Sequence, residues 1–199
     1  MAKLATATAL RARIGCGAEV ADSLLNGLLD GVTAAFEAYT QRVLITDGTT
    51  PRVETPSGGM SYLLLRAWPI VGVTSIIETT DGVFEGVEAL DASHYRIVAD
   101  RGRIERYPFG RPWWWGIGNI QVTYLGGYVD AATTEVPSGF AKPPADLAEA
   151  ALLQASHLYF RARDLGATNV SLAAGGATAH AREYALLDEV KRLLGPHRR

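Results

Sequence analysis

Apolar positions along the chain fall into three zones with different periods. Over residues 18–42, Val20, Leu24, Leu25, Leu28, Leu29, Val32, Phe36 and Tyr39 recur at spacings of three and four, which predicts an amphipathic helix. Gly27 and Gly31 weaken it as an isolated helix, and their four-residue spacing suits close approach of another helix. From about residue 60 the period shortens. Tyr62 to Arg66 predicts a strand, Pro69 to Val73 a proline-broken crossover, and Ser75 to Thr79 a second strand ending at Asp81-Gly82. His94 to Ala99 predicts a third strand, turned tightly at Asp100 to Gly102 into Arg103 to Tyr107, and Asn119 to Leu125 closes the set. A further short strand is predicted near Arg52 to Thr55.

Helical spacing returns after a Thr-, Ala- and Pro-rich linker over 129–142. Pro143 and Pro144 start a helix where a missing N–H costs nothing, and Asp146 and Glu149 complement its dipole. The helix runs to about Asp164. Leu147, Ala151, Ala155, Leu158 and Ala162 make one apolar stripe, and Leu152, Tyr159 and Phe160 widen it beyond one face. Such a helix needs burial on two sides, as the centre of the domain or also against a neighbouring subunit. Gly166 to Gly176 reads as small and flexible. A last helix, about Ala179 to Leu194, stops at Gly195-Pro196, and a basic tail projects from it. The predicted fold class is therefore α+β: a helical bundle with an inserted small antiparallel β subdomain, a C-terminal helix and an extended basic tail. The parts are residues 1–45, 46–130, 140–194 and 195–199 of a single domain.

Composition narrows the function classes. The 199 residues are 48% hydrophobic and 20% charged, as in ordinary globular chains. A net charge of −2 argues against a dedicated nucleic-acid binder but not against a protein that surrounds DNA without gripping it. The single cysteine, Cys16, forms no intrachain disulfide and fits a reducing compartment. The N-terminal segment lacks the apolar core of a signal peptide, and no stretch approaches the ~20 apolar residues of a membrane span.

Chemistry-bearing motifs are sparse. His94, His157, His180 and His197 are scattered and form no metal-binding pair, so no metal or cofactor is expected. No Gly-x-Ser-x-Gly elbow and no phosphate-binding Gly-rich loop is present. The unusual feature is Trp113-Trp114-Trp115. Side chains alternate along an extended segment, so three adjacent indoles cannot share one core. They read as a protein–protein anchor, as a stacking platform for sugars or single-stranded nucleic acid, or as a turn whose tryptophans cap the sheet's own core. Lys191-Arg192 and Arg198-Arg199 are suited to an acidic partner or a phosphate backbone, or to a solvated chain end.

The order of these motifs resembles the head–tail connector (adaptor) proteins of long-tailed bacteriophages and related gene-transfer particles. The residues concerned are Leu65 to Ile70 with Val73, Ser75 and Ile76, then Tyr95 to Val98 and Gly102 to Ile104. Ile120 to Tyr128, Val136-Pro137 with Pro143-Pro144, Tyr159 to Arg161, and the ending Leu194-Gly195-Pro196-His197-Arg198-Arg199 complete them. The resemblance implies a non-enzymatic virion protein of the neck, with no catalytic residues or cofactor. Twelve copies would form a ring below the portal, with Leu194 to Arg199 docking on portal subunits. A stopper or tail-completion protein would sit beneath, and genomic DNA would pass through the lumen. Assembly would occur in the host cytoplasm. On the residues' own chemistry, and not from the resemblance, Leu152, Tyr159 and Phe160 suit subunit packing and Trp113 to Trp115 an interface. The tryptophan run and residues 173–177 depart from the family's pattern.

Overall fold

A computed structural model describes residues 3–108, 110–164 and 186–199, with backbone alone at 162–164. Helix α1 (Ala7–Ile14) opens where the Thr6 hydroxyl accepts the Ala9 N–H, and closes at Gly15 in the left-handed conformation. Arg11 donates to the carbonyls of Gly17 and Val20 and to Asp22. That bracket sets the turn into α2 (Asp22–Thr40), which buries Leu25, Leu29, Val32 and Phe36. The periodic pattern over 18–42 thus contains a turn and then one helix. Gly27 and Gly31 lie on its open side, with nothing near where a Cβ would sit, so the close helix neighbour they suggested is not among the described residues of this chain.

The chain then enters the β part through β1 (Ile45–Thr46), β2 (Arg52–Glu54) and β3 (Tyr62–Leu64). Next come β4 (Ile70–Glu78), β5 (Tyr95–Val98), β6 (Arg103–Arg106), β7 (Ile120–Gly126) and β8 (Tyr128–Val129). Strands β2, β7 and β4 form one antiparallel sheet, and β3, β6 and β5 another. The expected crossover over Pro69 to Val73 is instead the first half of β4. Register shifts between Ile70 and Gly72 and between Val73 and Ser75 absorb the irregularity, so the nine-residue strand follows β7 along its length. Strands β1 and β8 pair in parallel, Ile45 with Tyr128, and tie the two ends of the β part together. No sequence signal marks this pair, because two-residue strands carry no periodicity.

Helix α3 (Ala145–Asp164) matches its predicted bounds and packs against α1, α2 and α4 (Asp188–Leu194). Leu147, Ala150, Ala151 and Ala155 are fully buried along it, so α3 is the central helix of the bundle. Residues 165–185, including most of the first half of the predicted last helix and the Gly-rich stretch, lie outside the described residues, as does the side chain of Ala162; among the described residues that helix starts only at Asp188, because Leu187 before it is extended, at ψ 144°. Two clusters of buried residues result. One joins the helices, from Leu4 and Leu10 to Val190 and Leu194. The other lies between the sheets, with Leu63, Ile76, Ile104, Trp113, Val122 and Tyr124 at its centre.

One glycine within the β part sits tightly against an indole. Gly102, at φ +60°, turns β5 into β6, and a Cβ there would lie 2.4 Å from Cδ1 of Trp68. Gly102→Ala therefore combines left-handed strain with an indole clash, and more than about 2 kcal/mol of destabilisation is expected in urea unfolding.

Candidate functional site

Two surfaces gather most of the residues singled out in the sequence, and the first depends on how the β part meets the helices. The first is the C-terminal seam. Beyond α2, Gln41 takes a left-handed conformation, at φ 57°, and turns Arg42 inward. Arg42 is fully buried. Its guanidinium stacks 3.0 Å from the centroid of the Trp68 ring and donates to the carbonyls of Trp68 and His197. Burial pulls its pKa down to about 10, with Tyr128 opposing that shift, so the group stays charged at neutral pH.

That buried cation helps hold the end of the chain. Leu194 is part of the helical core, and Gly195–His197 forms a 3-10 turn. The His197 ring lies 2.6 Å from Oδ2 of Asp146, near the start of α3. Arg198 faces the Tyr39 ring. The backbone N–H of Arg199 donates to the Thr40 carbonyl, and its guanidinium donates to the Leu64 carbonyl. The tail therefore does not project. It folds back across the junction because Asp146, Arg42 and the carbonyls of Thr40 at the end of α2 and Leu64 at the end of β3 satisfy its polar groups.

Asp146 couples this seam to acid. Partial burial works to raise its pKa, but hydrogen bonds from His197 and from the Leu147 N–H outweigh that and hold the carboxyl below the usual range. A group depressed in the folded state stabilises above its unfolded pKa and loses that contribution as pH falls through the folded value. Hydrogen-exchange protection at residues 197–199 is expected to be full above about pH 4 and to decline below it. Asp146→Asn should abolish that acid dependence.

The second surface is the tryptophan loop. Trp113 is fully buried between the sheets, with the Arg106 guanidinium 4.8 Å from its ring centroid. It belongs to the protein's own core, which corrects its assignment to an interface and rules out a platform built on all three indoles. Trp114 is 59% exposed, Trp115 89% and Ile117 96%. Backbone bonds clamp this loop to the segment before β3. The N–H groups of Gly58 and Gly59 donate to the carbonyls of Gly116 and Trp113, and the Trp113 N–H donates to the Met60 carbonyl. The Trp114 N–H reaches Oε1 of Glu78 at 2.6 Å, and the Asn119 amide donates to the Trp114 carbonyl.

The packing residues divide as well. Leu152 and Tyr159 are half-buried against the helical core, whereas Phe160 is 45% exposed, edge-on to Tyr159. Among the described residues, no group of three or more His, Cys, Asp or Glu side chains is gathered, and no helix is long and apolar enough to cross a membrane. The signals missed in the sequence were the seam roles of Arg42 and Asp146, each an ordinary charge until the fold places it there.

Neither a family model nor a curated protein matches the chain. Solved structures do. A chain from the neck of an empty gene transfer agent particle, computed with C6 symmetry, aligns over 98% of this chain and 89% of its own, at 21% identity and a TM-score of 0.54. A chain from the native particle's neck, computed with C12 symmetry, aligns over 100% and 94%, at 21% identity and a TM-score of 0.51. One from the virion of the native particle gives 98% and 89%, 22% identity and 0.55. This chain has the fold of a gene transfer agent neck chain. The likeness runs through the helical cluster and both sheets, so the shared feature is the whole composite of bundle and insert.

Proposed function

We propose that the chain is a head–tail connector subunit: a structural, non-enzymatic virion protein that forms a homo-oligomeric ring in the neck. The observation that carries this reading is the likeness of its complete composite fold, over 98–100% of its length, to chains from the neck and virion of gene transfer agent particles. The finer assignment is a ring of twelve, set between the portal and a stopper or tail-completion protein, with DNA passing through the lumen. The net charge of −2 suits a conduit that does not grip its cargo.

In this reading residues 195–199 dock on the portal from their place on the seam, adding contacts on a portal subunit to those they make with Asp146, Arg42 and Leu64. Leu194 stays behind in the helical core as the anchor of the segment. A chain lacking residues 195–199 is expected to keep its far-ultraviolet circular dichroism and its fold, yet to fail to join tails to portal-containing heads in an assembly assay. Undiminished joining by a folded truncation overturns the docking role. Twelve-fold rings in electron-microscopy class averages support the stoichiometry, and another symmetry overturns it.

A second reading, a carbohydrate- or single-stranded nucleic-acid-binding β module, now rests on Trp114 and Trp115, since Trp113 is buried. Their exposure makes it directly measurable. Tryptophan emission unchanged by added oligosaccharide or single-stranded DNA sets it aside.

A further inference from the structure

The tryptophan loop and the C-terminal seam form a matched pair on one chain. The loop is an uncharged protrusion, Trp113 to Gly118, whose exposed tip is Trp114, Trp115 and Ile117. It is held rather than loose: the carbonyls of Trp113, Trp114 and Gly116 all accept hydrogen bonds, and the Trp115 ring lies against Gly59, where a Cβ would come within 2.9 Å of Cε3. Presenting an indole this exposed on a clamped backbone keeps a large apolar surface in water. Little ordering entropy is left to lose when a partner covers it.

A cleft of complementary character opens at the other end of β3. Leu64, Leu65 and Trp68 make its apolar lining, and Arg101, Arg198 and Arg199 line it as well, around about 220 Å³. That volume is below the roughly 300–1,000 Å³ of sites for drug-sized ligands. It suits the insertion of one large side chain. Three arginines around an apolar lining favour an aromatic side chain, whose face attracts cations through its quadrupole, and disfavour a cationic segment.

We propose that Trp115, flanked by Trp114 and Ile117, is a knob that seats in the Leu64–Trp68 cleft of the next copy of this chain. The loop contacts the chain just before β3, at Gly58 to Met60, and the cleft begins where β3 ends, at Leu64. Knob and cleft are separate patches of one chain, so the contact can repeat head to tail, each subunit offering a knob to one neighbour and a cleft to the other. Repetition of such a contact closes into a ring when the rotation allows it. Trp and Arg, the side chains most enriched at the energetic centres of interfaces, supply its two sides. This inference rests on the homo-oligomeric ring of the proposed function and names its lateral contact.

The test uses the full chain carrying the photo-crosslinking residue p-benzoylphenylalanine at position 115, concentrated to assembly and read by native mass spectrometry and peptide mapping. Crosslinked pairs joining position 115 to residues 64–68, 101 or 198–199 of a second copy are expected. Trp115→Ala and Arg101→Glu should each raise the concentration for half-assembly at least tenfold, with unchanged circular dichroism. Rings that form with crosslinks elsewhere, or that ignore both substitutions, overturn this contact and leave the ring standing. A chain that stays monomeric to its solubility limit and gives no crosslinked pair overturns both.

Discussion

Trp113→Ala is expected to destabilise the chain by about 3–5 kcal/mol, the range for deleting a large aromatic side chain from a core. The indole is fully buried between the two sheets, among Leu63, Ile104 and Ile120. Its Nε1 has no hydrogen-bond partner, so the loss is one of packing and cavity formation rather than of a polar contact. The Arg106 guanidinium, held by Glu78 at 2.7 Å, covers one face of the ring, so little can collapse into the space. Trp114→Ala and Trp115→Ala should stay within about 0.5 kcal/mol of the parent, as for exposed positions. Urea unfolding of the three variants checks this. Equal losses at 113 and 115 would mean that the loop is not divided between core and surface.

Arg42→Ala is expected to cost about 2–4 kcal/mol, because it strands two carbonyls, of Trp68 and His197, and removes the stacking on Trp68. For a chain of this size that lowers the melting temperature by roughly 4–16 °C. Arg42→Lys should recover only part of the loss. An ammonium cannot stack flat on the indole while bonding two separated carbonyls, as the planar fork does. Thermal unfolding measures the first effect. The second readout is local: limited proteolysis near residues 195–199 should become faster in Arg42→Ala than in a surface variant of equal stability. No difference between those two would show that Arg42 supports the fold without holding the C-terminal segment.

Much of the architecture was legible because burial imposes a period on the sequence. The three-and-four spacing from Leu25 to Phe36 and from Leu147 to Ala155 marks helices, each apolar stripe facing the shared bundle core. Pro143 and Pro144 located the start of α3 because only a helix start tolerates a missing N–H. Alternation in Ile120 to Tyr124 marked β7, whose two faces meet different surroundings. It also required the three tryptophans to divide. The signal failed where local chemistry pointed one way and pairing another. Pro69 suggested a break, but it stands just before β4, and Gly72 and Val73 pair with β7 through register shifts that no single-strand pattern reports.

The tail was the harder case. Gly195-Pro196 correctly ended a helix, yet the path of residues 197–199 depends on partners 51 to 155 positions away in sequence, Asp146, Leu64 and Arg42. No local pattern encodes them. By itself, the sequence determined α2, α3 and the end of α4, most of the strands, the order of bundle and insert, and the division of the tryptophan run, because periodicity and backbone sterics dictate these, whereas α1, whose apolar stripe is weak, went unmarked. Only the tertiary structure decided which indole is core, that Arg42 is buried against Trp68, and that the C-terminal residues fold back onto the seam. Those outcomes rest on contacts between distant segments, whose free energy exists only once the β part and the bundle have met.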